Sequence, residues 1–245
     1  MTVDGVLFDI DDTLVDTRGA FGPALAGIAR RYLPEVGPDR DHEVLAAWRA
    51  DAGNHFQAYA DGRVGYREQR HARANALHDA FGGPELDEVA YAAWDELFEQ
   101  GFSSSWTAIE DAEKVVDLLL EAGLAVGALS NAGSAYQASK LARAGLGDRV
   151  PMLVGVDTLG FGKPHPEVFL EACRRLGTEP ARTVYVGDEL DGDAVAAVRA
   201  GLRGIWLDRP GPRRRLVDAA DVDAAVNQGV MVVTSLGEIP GLLGL

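Results

Sequence analysis

The chain has 245 residues, 47% of them hydrophobic, and a formal charge of -15 at pH 7. That length suits one sizeable α/β core plus a smaller domain, and the acidic balance argues against the clustered basic face that binds nucleic acid. No apolar run approaches a membrane span and the N-terminus lacks a basic, apolar leader, so the expected setting is the cytoplasm with no membrane partner.

The first element is the run Val6-Leu7-Phe8, short and apolar, which predicts a buried strand. Asp9 stands where that strand ends, and Asp11 and Thr13 follow in FDIDDTL. Ligands of open α/β sheets bind beyond the carboxyl ends of the strands. Two acids this close repel each other, which a metal cation relieves, or which one acid avoids by keeping its proton and serving as a general acid. A strand-end aspartate that merely caps a turn is the alternative without chemistry.

Residues 17–102 then read as helices alone, a small bundle inserted between residues 1–16 and 103–245 of the core. The expected spans are Ala20 to Leu33, His42 to Ala60, Tyr66 to Phe81 and Leu86 to Glu99, separated by GPDRD, DGRVG and GG. After Ser103-Ser104-Ser105 the pattern alternates. Helices are expected at Ala112 to Glu121, Ala135 to Ala144, Pro166 to Leu176 and Asp193 to Ala200. Strands are expected at Leu124 to Leu129, Met152 to Val156, Thr183 to Val186, Gly204 to Leu207 and Val230 to Val233. Such alternation predicts an α/β fold with a doubly wound parallel sheet. The single cysteine, Cys173, lies on the apolar stripe of VFLEACRRL and reads as a buried structural thiol, in keeping with a reducing cytosol. Arg213-Arg214-Arg215 reads as a short solvated loop.

Lysine supplies three of the 23 basic residues. Lys114 and Lys140 lie in amphipathic helical patterns and are expected to be solvated. Lys163, in GFGKPHPEVF, sits in a loop leading into a helix. Polar groups of complementary kinds thus follow several strands: Asp9 and Asp11, then Ser130, then Asp188 in VGDELDGD, with Lys163 between. A carboxylate nucleophile, an acid/base, a hydroxyl donor, a cation and a metal site together describe phosphoryl transfer.

Those four motifs, FDIDDTL, ALSN, the lysine of GFGKPHPEVF and VGDELDGD, occur in the order found in the haloacid dehalogenase superfamily. The chain resembles a superfamily phosphohydrolase with a Rossmann-like core and a helical cap inserted after the first motif, over essentially its whole length. The resemblance implies that Asp9 attacks phosphorus and that Asp11 protonates the leaving group and later activates water, with a pKa raised by neighbouring carboxylates. Ser130 and the backbone N–H of Asn131 would bind a phosphoryl oxygen, with Lys163 neutralising nucleophile and phosphate. Mg²⁺ would be held by Asp9, the backbone carbonyl of Asp11, Asp188 and Asp193.

Two positions depart from the common pattern. Asp12 replaces a glycine and reads as a turn residue; Gly192 stands where asparagine is frequent, which brings Asp191 and Glu189 into view as substitute metal ligands. The cap is expected to set specificity. Arg67, Arg70 and Arg73 could reach an anionic substrate, Arg70 being the preferred contact, against a solvated helix face. His71 and His78 lack a third ligand and read as ordinary; Phe21, Trp48, Phe56 and Tyr59 read as cap core.

Superfamily dehalogenases lack the acid corresponding to Asp11 and need no metal, and phosphonate-cleaving relatives use a cap lysine, of which this cap has none. A sugar phosphomutase shares the core chemistry and stays open. Phospho-accepting receiver domains lack both the insertion and the second acid, and a retired binding protein would have lost motif residues, which this chain retains. The expectation is a Mg²⁺-dependent phosphatase of a small phosphorylated metabolite, working as a monomer or homodimer.

Overall fold

A computed structural model describes residues 3–60, 63–211 and 217–245. The arginine cluster 213–215 lies outside the described residues. The chain forms two compact units, one running to Thr17 and resuming at Thr107, the other spanning Arg18–Trp106.

The first unit is built on a six-stranded sheet, all parallel among the described residues. Its strands are β1 (Gly5–Phe8), β2 (Ala125–Leu129), β3 (Met152–Val154), β4 (Thr183–Gly187), β5 (Arg203–Leu207) and β6 (Met231–Val233), in the order β3-β2-β1-β4-β5-β6. β1 and β4 are buried along their whole length, as strands covered on both faces must be, which is why they read as continuous apolar runs. The chain builds outward from β1 on one side, returns, and builds outward through β4 on the other. The switch point therefore falls at β1 and β4, where an open sheet parts to form a crevice.

The helices, in chain order, are α1 (Thr17–Tyr32), α2 (Asp41–Ala50), α3 (His55–Ala60), α4 (Tyr66–Ala80), α5 (Glu88–Ser104), α6 (Ala112–Glu121), α7 (Ser134–Arg143), α8 (Val156–Leu159), α9 (Pro166–Leu176), α10 (Ala196–Arg199), α11 (Ala219–Asn227) and α12 (Ile239–Leu243). None among the described residues is long and apolar enough to cross a membrane. α9 shows the local logic: Pro166 opens it and Gly177, at φ 77°, closes it in the left-handed conformation that glycine adopts without penalty. Its stripe Val168, Phe169, Ala172 and Cys173 packs with Leu7, Leu129 and Tyr185 of the sheet. Cys173 is buried there as expected.

In the second unit the expected second helix is two. Asp51 (φ 43°) and Asn54 (φ 51°) turn left-handed, and the Asp51 carboxylate accepts from the Phe56 N–H at 2.8 Å, which restarts the chain as α3. The second unit runs past residue 102, the expected end of the insertion, to Trp106. α5 runs through Ser104, with the Ser104 and Ser105 hydroxyls donating back to the Gly101 carbonyl at 3.0 and 2.8 Å. Asp87 caps that helix by accepting from the N–H groups of Val89 and Ala90.

The bundle core is aromatic, with Trp94 stacked on Phe98 at 5.3 Å and Phe21 tilted against Phe102 at 4.6 Å between ring centroids. Trp48 is buried among them, whereas Tyr59, expected in this core, is 38% exposed. His71 and His78 have backbone partners, the Leu86 and Pro84 carbonyls. Burial pushes the His78 imidazole below its ordinary pKa, the Pro84 bond only partly opposing this. The unfolded chain therefore takes up that proton first, so the stability His78 contributes is full above about pH 6.5 and is lost as the pH falls through and below that value. Urea midpoints measured at pH 7.5 and 5.5 should fall more for the natural protein than for His78→Gln; parallel falls would remove His78 from the account.

Candidate active site

The residues expected to carry chemistry meet at the carboxyl ends of β1, β2 and β4. Asp9 leaves β1 with its N–H still bonded to the Val186 carbonyl at 2.8 Å, so the nucleophile candidate is held by the sheet itself. Asp12 takes φ 60°, which explains why a residue tolerant of the left-handed region stands there; it is a turn residue, as expected. Arg209, after β5, donates to the Thr13 carbonyl at 2.9 Å and pins the same loop.

Lys163 is the hub. Its Nζ donates to Asp9 Oδ1 at 2.7 Å, to Asp193 Oδ1 at 2.6 Å and to the Tyr185 hydroxyl at 2.8 Å, which engages all three ammonium protons. The side chains of Lys163, Asp9 and Asp193 are 6%, 9% and 2% exposed, so this is a buried charge cluster. Burial pushes the Asp9 carboxyl well up; Lys163 opposes that, while Asp193, Asp188 and Asp11 add to it. For Lys163 burial lowers the pKa, yet Asp193 and Asp9 outweigh it and hold the ammonium firmly protonated.

Asp193 lies within a wide π-turn, Leu190–Val195, a distortion that re-aims side chains at functional sites. It lies directly over Gly187, where any Cβ would collide with its carboxylate, and its Oδ2 accepts from the Glu189 N–H at 3.0 Å. The carboxylates of Asp9, Asp188 and Asp193 each place an oxygen within 4.8 Å of the others. Three hard oxygen donors around one small space, with Asp9 destabilised as an anion, fit a divalent cation. Neither Asp191, which is exposed, nor Glu189 belongs to that cluster, so the structure does not support the substitute-ligand reading.

Asn131 uses its side chain on the Lys163 loop: its Oδ1 accepts from the Lys163 N–H at 2.7 Å and its Nδ2 donates to the Lys163 carbonyl at 3.0 Å. The Ser130 hydroxyl accepts from Gln137 Nε2 at 2.8 Å and from the Ala132 N–H at 3.3 Å. With its lone pairs engaged, its own proton is left to donate.

Two expectations about charge are overturned. Lys140 is not solvated: it is 2% exposed, and its ammonium is bonded to Asp11 Oδ1. In consequence the Asp11 carboxyl is not raised. Burial acts upward, but the Lys140 charge and bonds from Lys140, Thr17 and Gln137 bring it below the usual carboxylate range. Arg70 is likewise spent within its own unit, bonded to Asp95 at 3.1 Å and Glu99 at 2.6 Å and lying 4.4 Å over the Phe98 ring. At 7% side-chain exposure it supports the bundle, and its surroundings do not support contact with a substrate.

A family model for haloacid dehalogenase-like hydrolases matches residues 3–201. The chain belongs to that family. Among curated relatives of this hydrolase, a ribulose-1,5-bisphosphate 5-phosphatase from Halopiger xanaduensis is 26% identical over 238 residues, 97% of this chain and 98% of the relative. A phosphoserine phosphatase from Thermus thermophilus is 32% identical over 229 residues, covering 83% of this chain and 88% of the relative. Of solved structures, the HAD-hydrolase YfnB from Bacillus subtilis shares the fold with a TM-score of 0.75 at 20% identity, all of each chain being covered.

Tyr185, Gln137 and Lys140 also line the candidate site, although none belongs to the four motifs. Tyr185 sits inside an apolar strand and looks like core. Lys140 carried a usable signal: in a chain this poor in lysine, two of the three converge on the same strand ends.

Proposed function

We propose that this hydrolase is a Mg²⁺-dependent phosphatase of a small phosphorylated metabolite, acting through an aspartyl-phosphate at Asp9. The observation that carries the reading is Lys163, bonded to Asp9 and Asp193 at the strand ends where Ser130 and Asp188 also converge. The phosphatase activities of the Halopiger and Thermus relatives support the substrate class.

Asp9 Oδ1 is held by Lys163, which leaves Oδ2 to attack phosphorus. As that bond forms, the bond from phosphorus to the leaving oxygen breaks and Asp11 gives that oxygen its proton. A negatively charged phosphoryl group beside Asp11 opposes the pull of Lys140 and favours the protonated carboxyl. Asp11 then takes a proton from water as the water attacks phosphorus, which releases inorganic phosphate and restores Asp9. Ser130 donates its remaining proton to a phosphoryl oxygen, and Lys163 balances the charge passing between nucleophile and phosphate. Mg²⁺, held by Asp9, Asp188, Asp193 and the Asp11 carbonyl, would neutralise phosphoryl oxygen charge.

The metal part is tested with 4-nitrophenyl phosphate and the chelated protein. Mg²⁺ should restore turnover and raise the melting temperature, and Asp188→Asn should weaken both responses by roughly 10-fold or more in Mg²⁺ concentration. Full turnover in excess chelator would contradict it. The lone buried thiol and the lack of a spanning helix among the described residues support a cytoplasmic setting.

A further inference from the structure

Helix α7 presents Gln137 and Lys140, one turn apart on the same face, into the protein rather than toward water. Gln137 is 0% exposed and Lys140 2%. Burying a lysine costs several kcal/mol unless it is paired, and a leucine would fill the same space at no such cost. Both side chains meet groups that the proposed reaction uses. Gln137 Nε2 lies 2.7 Å from Asp11 Oδ2 and 2.8 Å from Ser130 Oγ, so one amide nitrogen ties the acid/base to the phosphate-binding hydroxyl. Two acceptors at that nitrogen settle which way the amide points. The other amide atom, Oε1, is buried without a hydrogen-bond partner, a cost accepted only where the Nε2 contacts matter. Lys140 Nζ holds Asp11 Oδ1, which also accepts from the Thr17 hydroxyl at 2.6 Å. The Asp11 carboxylate is thus fixed on both oxygens while its side chain stays 36% exposed.

We propose that Gln137 and Lys140 are positioning residues that hold the Asp11 carboxylate in register with the Ser130 hydroxyl, and so with the leaving-group oxygen of the bound phosphate ester. The inference rests on Asp11 being the acid/base. Neither side chain forms or breaks a bond with substrate. They fix the distance over which Asp11 passes its proton to the departing oxygen as the phosphorus–oxygen bond breaks.

The test uses Lys140→Met and Gln137→Met in the full chain, two apolar replacements of similar length, with glycerol phosphate and acetyl phosphate as substrates. An alkoxide needs a proton to leave; acetate does not. A positioning role predicts that kcat/KM for the alkyl ester falls roughly 10²-fold for Lys140→Met, within the range of general acid catalysis. The ratio of alkyl to acyl kcat/KM should shift by about 10-fold or more in each variant. In an Asp11→Asn background, adding Lys140→Met should shift that ratio no further. Equal losses on the two substrates, or no loss, would overturn the proposal and mark α7 as ordinary packing. If Asp11→Asn leaves alkyl ester hydrolysis intact, the acid/base reading itself fails, an outcome distinct from a failure of the two α7 variants.

Discussion

Asp9→Asn should abolish phosphate release, by about 10⁴-fold or more, while leaving the protein folded. An amide cannot accept the phosphoryl group, so the acid-quenched protein should carry no phosphoryl mass on the peptide that contains residue 9. The variant should also be more stable than the natural protein in chelator, by about 1 kcal/mol. The carboxylate it removes is buried and faces Asp193, Asp188 and Asp11, and only Lys163 offsets that. Lys163 would keep Asp193 and the Tyr185 hydroxyl as partners. Loss of activity with a gain in metal-free stability is the signature of a site organised for reaction rather than for cohesion. A loss of both would show that Asp9 is chiefly structural.

Lys163→Met should be costly twice. Removing one member of a buried ion cluster leaves the others uncompensated, which typically destabilises by about 3–5 kcal/mol. Here the survivors would be Asp9 and Asp193, at 9% and 2% side-chain exposure, with the positive charge between them gone. Turnover should drop by at least about 10³-fold, since phosphate and nucleophile lose their fixed cation. Urea denaturation of the single variant, of Asp193→Asn and of the double variant measures the coupling. The double variant should recover part of the loss, because the buried carboxylate that Lys163 neutralised is no longer charged. A single variant within about 1 kcal/mol of the natural protein would show that the cluster is hydrated and loosely held.

Much of the site was legible because Asp9, Ser130 and Asp188 each come just after a short apolar run. Val6-Leu7-Phe8 before Asp9, Val126 to Leu129 before Ser130 and Val184 to Val186 before Gly187-Asp188 mark strand ends, and a parallel sheet gathers those ends on one edge. What escaped had signals that periodicity does not carry. A buried lysine on a helix reads like a solvated one, since hydropathy ranks the residue and ignores its partner, and the Lys140 ammonium that lowers the Asp11 carboxyl is therefore invisible to periodicity. Arg70 looked available because its counter-charges, Asp95 and Glu99, lie far along the chain on another helix. The break between α2 and α3 was hidden because Asp51 and Asn54 adopt a glycine-like conformation without being glycine. α11 and α12 are short, and each buries a single side chain, Ala225 and Ile239, so neither carries an apolar stripe to read.

Phosphate ester hydrolysis at Asp9 is tested directly by one measurement: phosphate released from a broad panel of phosphorylated sugars, sugar acids and phosphoserine, with Mg²⁺, by the natural protein and Asp9→Asn side by side. The natural protein should turn over at least one small phosphomonoester and the variant none. No release from any member of the panel, or equal release by the two proteins, would contradict it.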